Sequence, residues 1–200
     1  MADSQLPSRR SFVKQGFTAF TASSGMIPIL AGTDTPENDQ LLINKVSLLR
    51  EMAADTYANL WKNLTGITEK EADWQPNPES NSVRWVVGHL CWFEEYVADA
   101  LENTGRYLTD KKPTIVQESS MPKLKERFDA ARVCSARLIE SLTVDSFKKE
   151  IIYVGRFPVT IHSLLQTHTL HMSGHRYQVR YIRGTYSRVF HTNKADFDPW

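Results

Sequence analysis

The chain has 200 residues, enough for one domain that buries a real core without disulfides. Its 24 Lys+Arg against 23 Asp+Glu leave a net charge of +1, so no global field points to nucleic acid or anionic lipid, and no 20-residue apolar run is present. Cys91 and Cys134 make neither a disulfide framework nor a CxxC pair, and read as ordinary buried small residues of a soluble globular protein.

The chain opens on Ser8-Arg9-Arg10-Ser11-Phe12-Val13-Lys14, which resembles the twin-arginine export motif, with Val13 where that motif prefers Leu. An uncharged, mildly apolar stretch follows from Gln15 to Ala31, giving the layout of a signal peptide over residues 1–31. The alternative is a basic N-terminal lead-in. On the export reading the protein is periplasmic or exported and keeps no membrane anchor after processing; otherwise it is cytoplasmic. Residues 1–31 carry Arg9, Arg10 and Lys14 against Asp3, so their removal takes the net charge from +1 to −1.

From Asp39 to Leu64 the apolar residues Leu42, Val46, Leu49, Ala53, Leu60 and Leu64 recur at helical spacing, and Gly66 ends the run. Thr68-x-x-Glu71 reads as a capping box for a short turn stopped by Pro76 and Pro78. Asn81 or Ser82 caps a second helix that runs through Tyr96 to about Asn103. The long polar link after it suits a crossover. A third helix has Ser120 as N-cap, Pro122 in its first turn, and Leu124, Phe128, Ala131, Leu138 and Leu142 on one face. Ile151 to Pro158 suits a short strand pair around Gly155-Arg156; Pro158 and Thr160 then open a last helix ending near Arg183-Gly184. Four long amphipathic helices predict an all-α four-helix bundle over residues 38–190, followed by a tail, 191–200.

Six histidines are present, four of them between His162 and His175. His171 and His175 stand one helical turn apart, the simplest way for a helix to offer two imidazoles to one ion. His89 lies in an apolar helix on the face of Trp85, Trp92, Phe93 and Tyr96, so it points inward. A lone core histidine is usually a satisfied neutral imidazole, but three inward ones leave several polar atoms to be satisfied, at ~1–3 kcal/mol each. A divalent metal held by His89, His171 and His175 satisfies them together. His168, three residues before His171, is either a fourth ligand or a supporting partner, and Gln178 is placed to hydrogen-bond a ligand. His162 and His191 read as surface residues. Gly174 in mid-helix suggests close packing there, or a plain contact between helices. Trp92, Phe93 and Tyr96 are better read as core than as the lining of a pocket.

Asn81-Ser82-Val83-Arg84-Trp85-Val86-Val87-Gly88-His89-Leu90 and His171-x-x-x-His175-Arg176-x-Gln178 resemble the two signature segments of the DinB-like (DinB/YfiT-like) metal-binding bundles, over about Leu42 to Gly184. The resemblance implies one histidine ligand on the second helix and an HxxxH pair on the last, again His89, His171 and His175. Met172 and Tyr177 depart from the Glu and Gly that the family pattern often carries. Three imidazoles suit zinc, with nickel or iron as alternatives. The resemblance implies a metal-dependent transferase, of thiol S-transferase type, or a hydrolase acting on a small molecule. The other class is a non-catalytic metal-stabilised bundle that binds a ligand or partner; a homodimer is compatible with either. A zincin protease is disfavoured, because His-Met-Ser-Gly-His lacks the general-base Glu of H-E-x-x-H. No catalytic residue beyond the metal set is readable.

Overall fold

The computed structural model describes residues 36–102, 115–154 and 157–192. The chain divides into two units, Met1–Asn38 and Asp39–Trp200, and only residues 36–38 of the first are described. The export segment at 1–31, Gly155-Arg156 and most of the C-terminal tail lie outside the described residues.

Four long helices form as expected: α1 (Pro36–Asn63), then, after the one-turn α2 (Glu69–Asp73), α3 (Val83–Glu102), α4 (Met121–Glu140) and, at the C-terminal end, α6 (Ile161–Phe190). Between α4 and α6 come a short α5 (Val144–Lys148) and a hairpin, β1 (Glu150–Tyr153) with β2 (Phe157–Thr160), antiparallel in the register Glu150↔Thr160 to Tyr153↔Phe157. Hydroxyl caps set the starts. Ser82 accepts from the Trp85 amide, Ser120 from Lys123, Thr143 from Ser146 and Thr160 from Ser163, each satisfying one of the amides a helix start leaves open. Gly66, at φ 68, supplies the left-handed turn that closes the region after α1.

Side-chain pairings fix the helix directions. Arg50 pairs with Glu140 and the Tyr57 hydroxyl donates to Asp129, so α1 and α4 run antiparallel. Thr169 Oγ1 donates to the Leu49 carbonyl and Arg183 to the Asn63 carbonyl, so α1 and α6 run parallel. Glu94 meets His168 while His89 meets His171, so α3 opposes α6. The result is up-down-down-up, and the link from α3 to α4 is the expected crossover. It returns past Gly88, where an added Cβ would stand 2.3 Å from the Val116 carbonyl oxygen. Only glycine lets the backbone pass that close to α3.

The core holds Leu60, Leu90, Tyr96, Leu124, Phe128, Leu164, Met172 and Ile182, all fully buried or nearly so. Tyr57, Trp61 and Phe128 meet edge to face where α1 crosses α4. Arg183 is buried and grips both Glu71 oxygens while donating to the Asn63 and Thr65 carbonyls, thereby capping the C-terminus of α1.

Several local expectations need correction. Thr68 caps α2, accepting from the Glu71 amide, but the Glu71 side chain turns inward to Arg183 and does not close the box. The turn stops at Asp73, before either proline, because Trp74 is already extended. The last helix does not end at Arg183-Gly184. It continues to Phe190, since Tyr186 and Phe190, one turn apart, both pack on Trp74. Pro158 pairs with Ile152 inside β2, leaving Thr160 alone as the cap of α6. The third helix ends before Leu142, and α5 had no counterpart in the sequence reading. Gly174 is exposed with nothing within 4 Å of a built Cβ, so neither packing explanation for it holds.

Candidate metal centre

His89 comes from the first half of α3, and His171 and His175 from successive turns of α6. One ring nitrogen from each lies within 4.8 Å of the other two. His89 Nε2 stands 2.8 Å from His171 Nε2, and the three ring centroids are 4.5–4.9 Å apart. Two nitrogens each ~2.1 Å from a tetrahedral ion would sit ~3.4 Å apart, a few tenths of an ångström beyond this spacing. Each ring is only partly buried, so solvent reaches the cluster.

The rings are oriented from behind. His89 is stacked between Trp85 and Trp92, at centroid distances of 5.3 and 6.0 Å. Phe93 packs on His171 at 4.5 Å. His175 Nδ1 donates to Gln178 Oε1 at 2.8 Å, which keeps the proton on Nδ1 and leaves the Nε2 lone pair available. His89 Nδ1 is buried without a hydrogen-bond partner.

Electrostatics keep the set neutral. Burial, then the neighbouring His175, holds His89 down at about 4. Burial, with His175, His89 and His168 behind it, holds His171 at about 3. Burial lowers His175 too, partly offset by Gln178. At neutral pH the cluster therefore presents unprotonated nitrogens, the form in which imidazole binds a metal. These donors could hold a divalent ion: three borderline-soft nitrogens, no carboxylate, and no fourth protein ligand among the described residues.

His168 is not one of them. It is 1% exposed and its Nε2 lies 2.6 Å from Glu94 Oε2, with Glu94 wholly buried. The other Glu94 oxygen accepts from Arg132 Nη1 at 3.1 Å and from the Ser135 hydroxyl. Burial alone would raise the Glu94 carboxyl, but the His168 contact and Arg132 outweigh it and hold it at about 2. Of the alternatives for His168, the fourth-ligand position is thus not taken up. Sequence reasoning missed Glu94, Arg132 and Ser135. A signal was there: Glu94 falls in phase with Val87, Cys91 and Ala98 on the buried side of α3, where a carboxylate demands partners. His162 is half-buried with its Nε2 enclosed, not a surface residue, whereas His191 is exposed and closes α6 in the left-handed region at φ 51. Trp92, Phe93 and Tyr96 are core. Trp85 is 38% exposed, beside the cluster. Burial pushes the Cys91 thiol up to about 12, so it is inert.

Comparison with known proteins agrees with this architecture. A conserved protein from Enterococcus faecalis, known from its crystal structure, superposes with a TM-score of 0.54 at 17% identity, over 70% of this chain and 95% of its own. A DinB-like protein from Bacillus subtilis does so with a TM-score of 0.53 at 18% identity, over 75% of this chain and 94% of its own. At such identities the likeness speaks for the fold alone. No curated protein matches the sequence. The family model described as DinB superfamily matches residues 52–179, well over half of the chain, and on that match, with a bundle of the same fold, this chain belongs to the DinB superfamily.

Proposed function

We propose that this is a metal-dependent enzyme of the DinB superfamily, a transferase of thiol S-transferase type or a hydrolase, acting on a small molecule after export by the twin-arginine route. The observation that carries the reading is the donor set. His89, His171 and His175 bring three neutral nitrogens together from two helices, while the one further histidine within reach, His168, is already engaged by a buried carboxylate. A tetrahedral ion on three protein ligands keeps a position open, which is how catalytic sites differ from closed structural ones. When bound, such an ion supplies Lewis-acid polarisation and lowers the pKa of a water or thiol.

The chain's own residues do the rest. Trp85 and Trp92 clamp His89, Phe93 fixes His171, and Gln178 holds the His175 tautomer, so little reorganisation is needed when a substrate arrives. The partly exposed Trp85 offers a flat apolar wall next to the cluster. No general base is assigned, and His-Met-Ser-Gly-His remains unsuited to the zincin mechanism. Zinc is the expected metal, with nickel or iron as alternatives.

The test is elemental analysis of protein purified from its native host, followed by a thiol-transfer and ester-hydrolysis screen with and without chelator. Stoichiometric metal and a chelator-sensitive activity are expected. Metal without any turnover, in a protein that chelation unfolds, would instead establish the non-catalytic bundle. Fractionation of the host completes the experiment: parent protein belongs outside the cytoplasm, and an Arg9→Lys, Arg10→Lys double variant should stay inside. Parent protein found only in the cytoplasm removes the export part.

A further inference from the structure

Away from the three histidines, a cleft of about 330 Å³ opens between α1, α4 and α6. That is large enough for a small ligand of ordinary metabolite size. Leu49, Ala53, Ala54, Ala136, Ile139 and Leu165 give it apolar wall, and polar groups, among them Arg50, Glu51, Glu140, Arg132 and His168, make up the rest of the lining. None of His89, His171 and His175 lines it.

Arg132 and His168 are held side by side by one group. Glu94, wholly buried on α3, takes Arg132 Nη1 on one oxygen and His168 Nε2 on the other. Since the carboxylate can only accept, His168 Nε2 donates to it, and Nδ1 is left over. Among the described residues Arg132 hydrogen-bonds only through Nη1, so Nε and Nη2 are left over as well. Both side chains line the cleft, although His168 has only 1% of its surface exposed. A buried acid thus holds together two polar groups that line the cleft.

We infer that this cleft is a second binding site, which takes a small carboxylic acid with an apolar body, its head group on Arg132 and His168. A carboxyl group matches the leftover nitrogens. One oxygen accepts from Arg132, and the other shares a single proton with His168 Nδ1, whichever partner carries it. An alcohol meets only one of the two demands. A primary amide meets both, but without the charge assistance that makes carboxylate hydrogen bonds stronger. Of the other charged groups lining the cleft, Arg50 is paired with Glu140, which leaves the Glu51 carboxylate to oppose a phosphate dianion more than a single carboxylate. The apolar walls suit an alkyl or aryl tail.

The experiment is an NMR titration of the ¹⁵N-labelled full chain, in chelator, with hexanoate as probe and hexanamide, hexanol and inorganic phosphate for comparison. Hexanoate should shift amides within 47–54, 132–140 and 165–169 and bind about tenfold or more tighter than hexanol, the effect of one charge-assisted hydrogen bond. Hexanamide should fall between them, and phosphate should leave these amides unmoved. Ala136→Phe fills the cleft from α4 without touching Glu94, and should abolish the shifts; Ala54→Phe does the same from α1 if the first variant does not fold. Arg132→Lys, which keeps the charge but removes the extra N–H groups, should weaken hexanoate about tenfold. The proposal is overturned if hexanoate binds the filled variants as well as the parent, if hexanol equals hexanoate, if phosphate competes for the same amides, or if hexanoate shifts nothing there.

Discussion

In chelator the protein should lose stability as the pH falls from 7 to 5, well above the range where carboxylates titrate. Unfolded histidines take up a proton near 6.5, whereas in the fold His89 waits until about 4 and His171 until about 3. Between those values the unfolded chain binds more protons than the native one, so stability is fully present above 6.5 and is lost as the pH falls toward the folded values. At pH 5 each of the two has traversed about 1.5 pH units, or ~2 kcal/mol, and roughly half survives the solvent that reaches these partly exposed rings. His175 and His162 are shifted the same way and add to the slope. A total of about 2–4 kcal/mol corresponds to ~5–15 °C in Tm for a domain of this size. The assay is thermal melting by circular dichroism in chelator at half-unit steps from pH 7.5 to 5. His171→Leu should flatten the slope, because one titrating group has gone. The carboxyls that the fold holds low, Glu94 at about 2 with Glu69 and Asp73 also lowered, add their own loss only below the unfolded carboxylate range. A Tm that stays flat or rises between pH 7 and 5 would refute the picture of histidines buried in the neutral form.

His175→Ala should drop metal content below stoichiometric, while Gln178→Ala should keep the metal but weaken its affinity about tenfold, by competition against a chelating dye. Gly88→Ala should lower stability by ~1–3 kcal/mol in denaturant melts, since its Cβ would stand 2.3 Å from the Val116 carbonyl oxygen and the crossover would have to move. An unchanged melting midpoint would show that the crossover gives way freely.

Much of the bundle was readable because helices announce themselves twice, in their period and in their caps. The start at Ser120 followed from a hydroxyl before an apolar-periodic run, and Ser82 and Thr160 were among the candidates that the same signal offered for the second and last helices. The crossover could be anticipated from link length alone. What could not be read is what depends on partners distant in sequence. Gly184 looks like a helix end until Trp74, more than a hundred residues earlier, is found against Tyr186 and Phe190. Glu71 looks like a capping residue until Arg183 takes it. That the three histidines come together was readable because an i, i+4 pair and one inward histidine are patterns internal to single helices. The role of His168 was not, because it depends on Glu94, 74 residues away.

Arg183 is where such a long-range contact can be tested most directly. It is 3% exposed, pairs with both oxygens of a buried Glu71, and donates to two carbonyls, that of Asn63 at the end of α1 and that of Thr65 just beyond it. Removing one member of a buried pair strands the other charge, at a cost of about 3–5 kcal/mol, whereas replacing both with apolar groups of similar volume is often neutral. Arg183 differs from a simple pair because its carbonyl contacts are lost with it. Arg183→Met alone should therefore be severe, Glu71→Met alone somewhat less so, and the double variant should regain the stranded-charge part but not the cap. The expected residual deficit is ~1–2 kcal/mol, that of two backbone carbonyls without donors. Urea melts of the parent and three variants close the cycle. If the double variant is as stable as the parent, the cap contributes nothing; if it is no better than Arg183→Met, the two residues do not act as a pair.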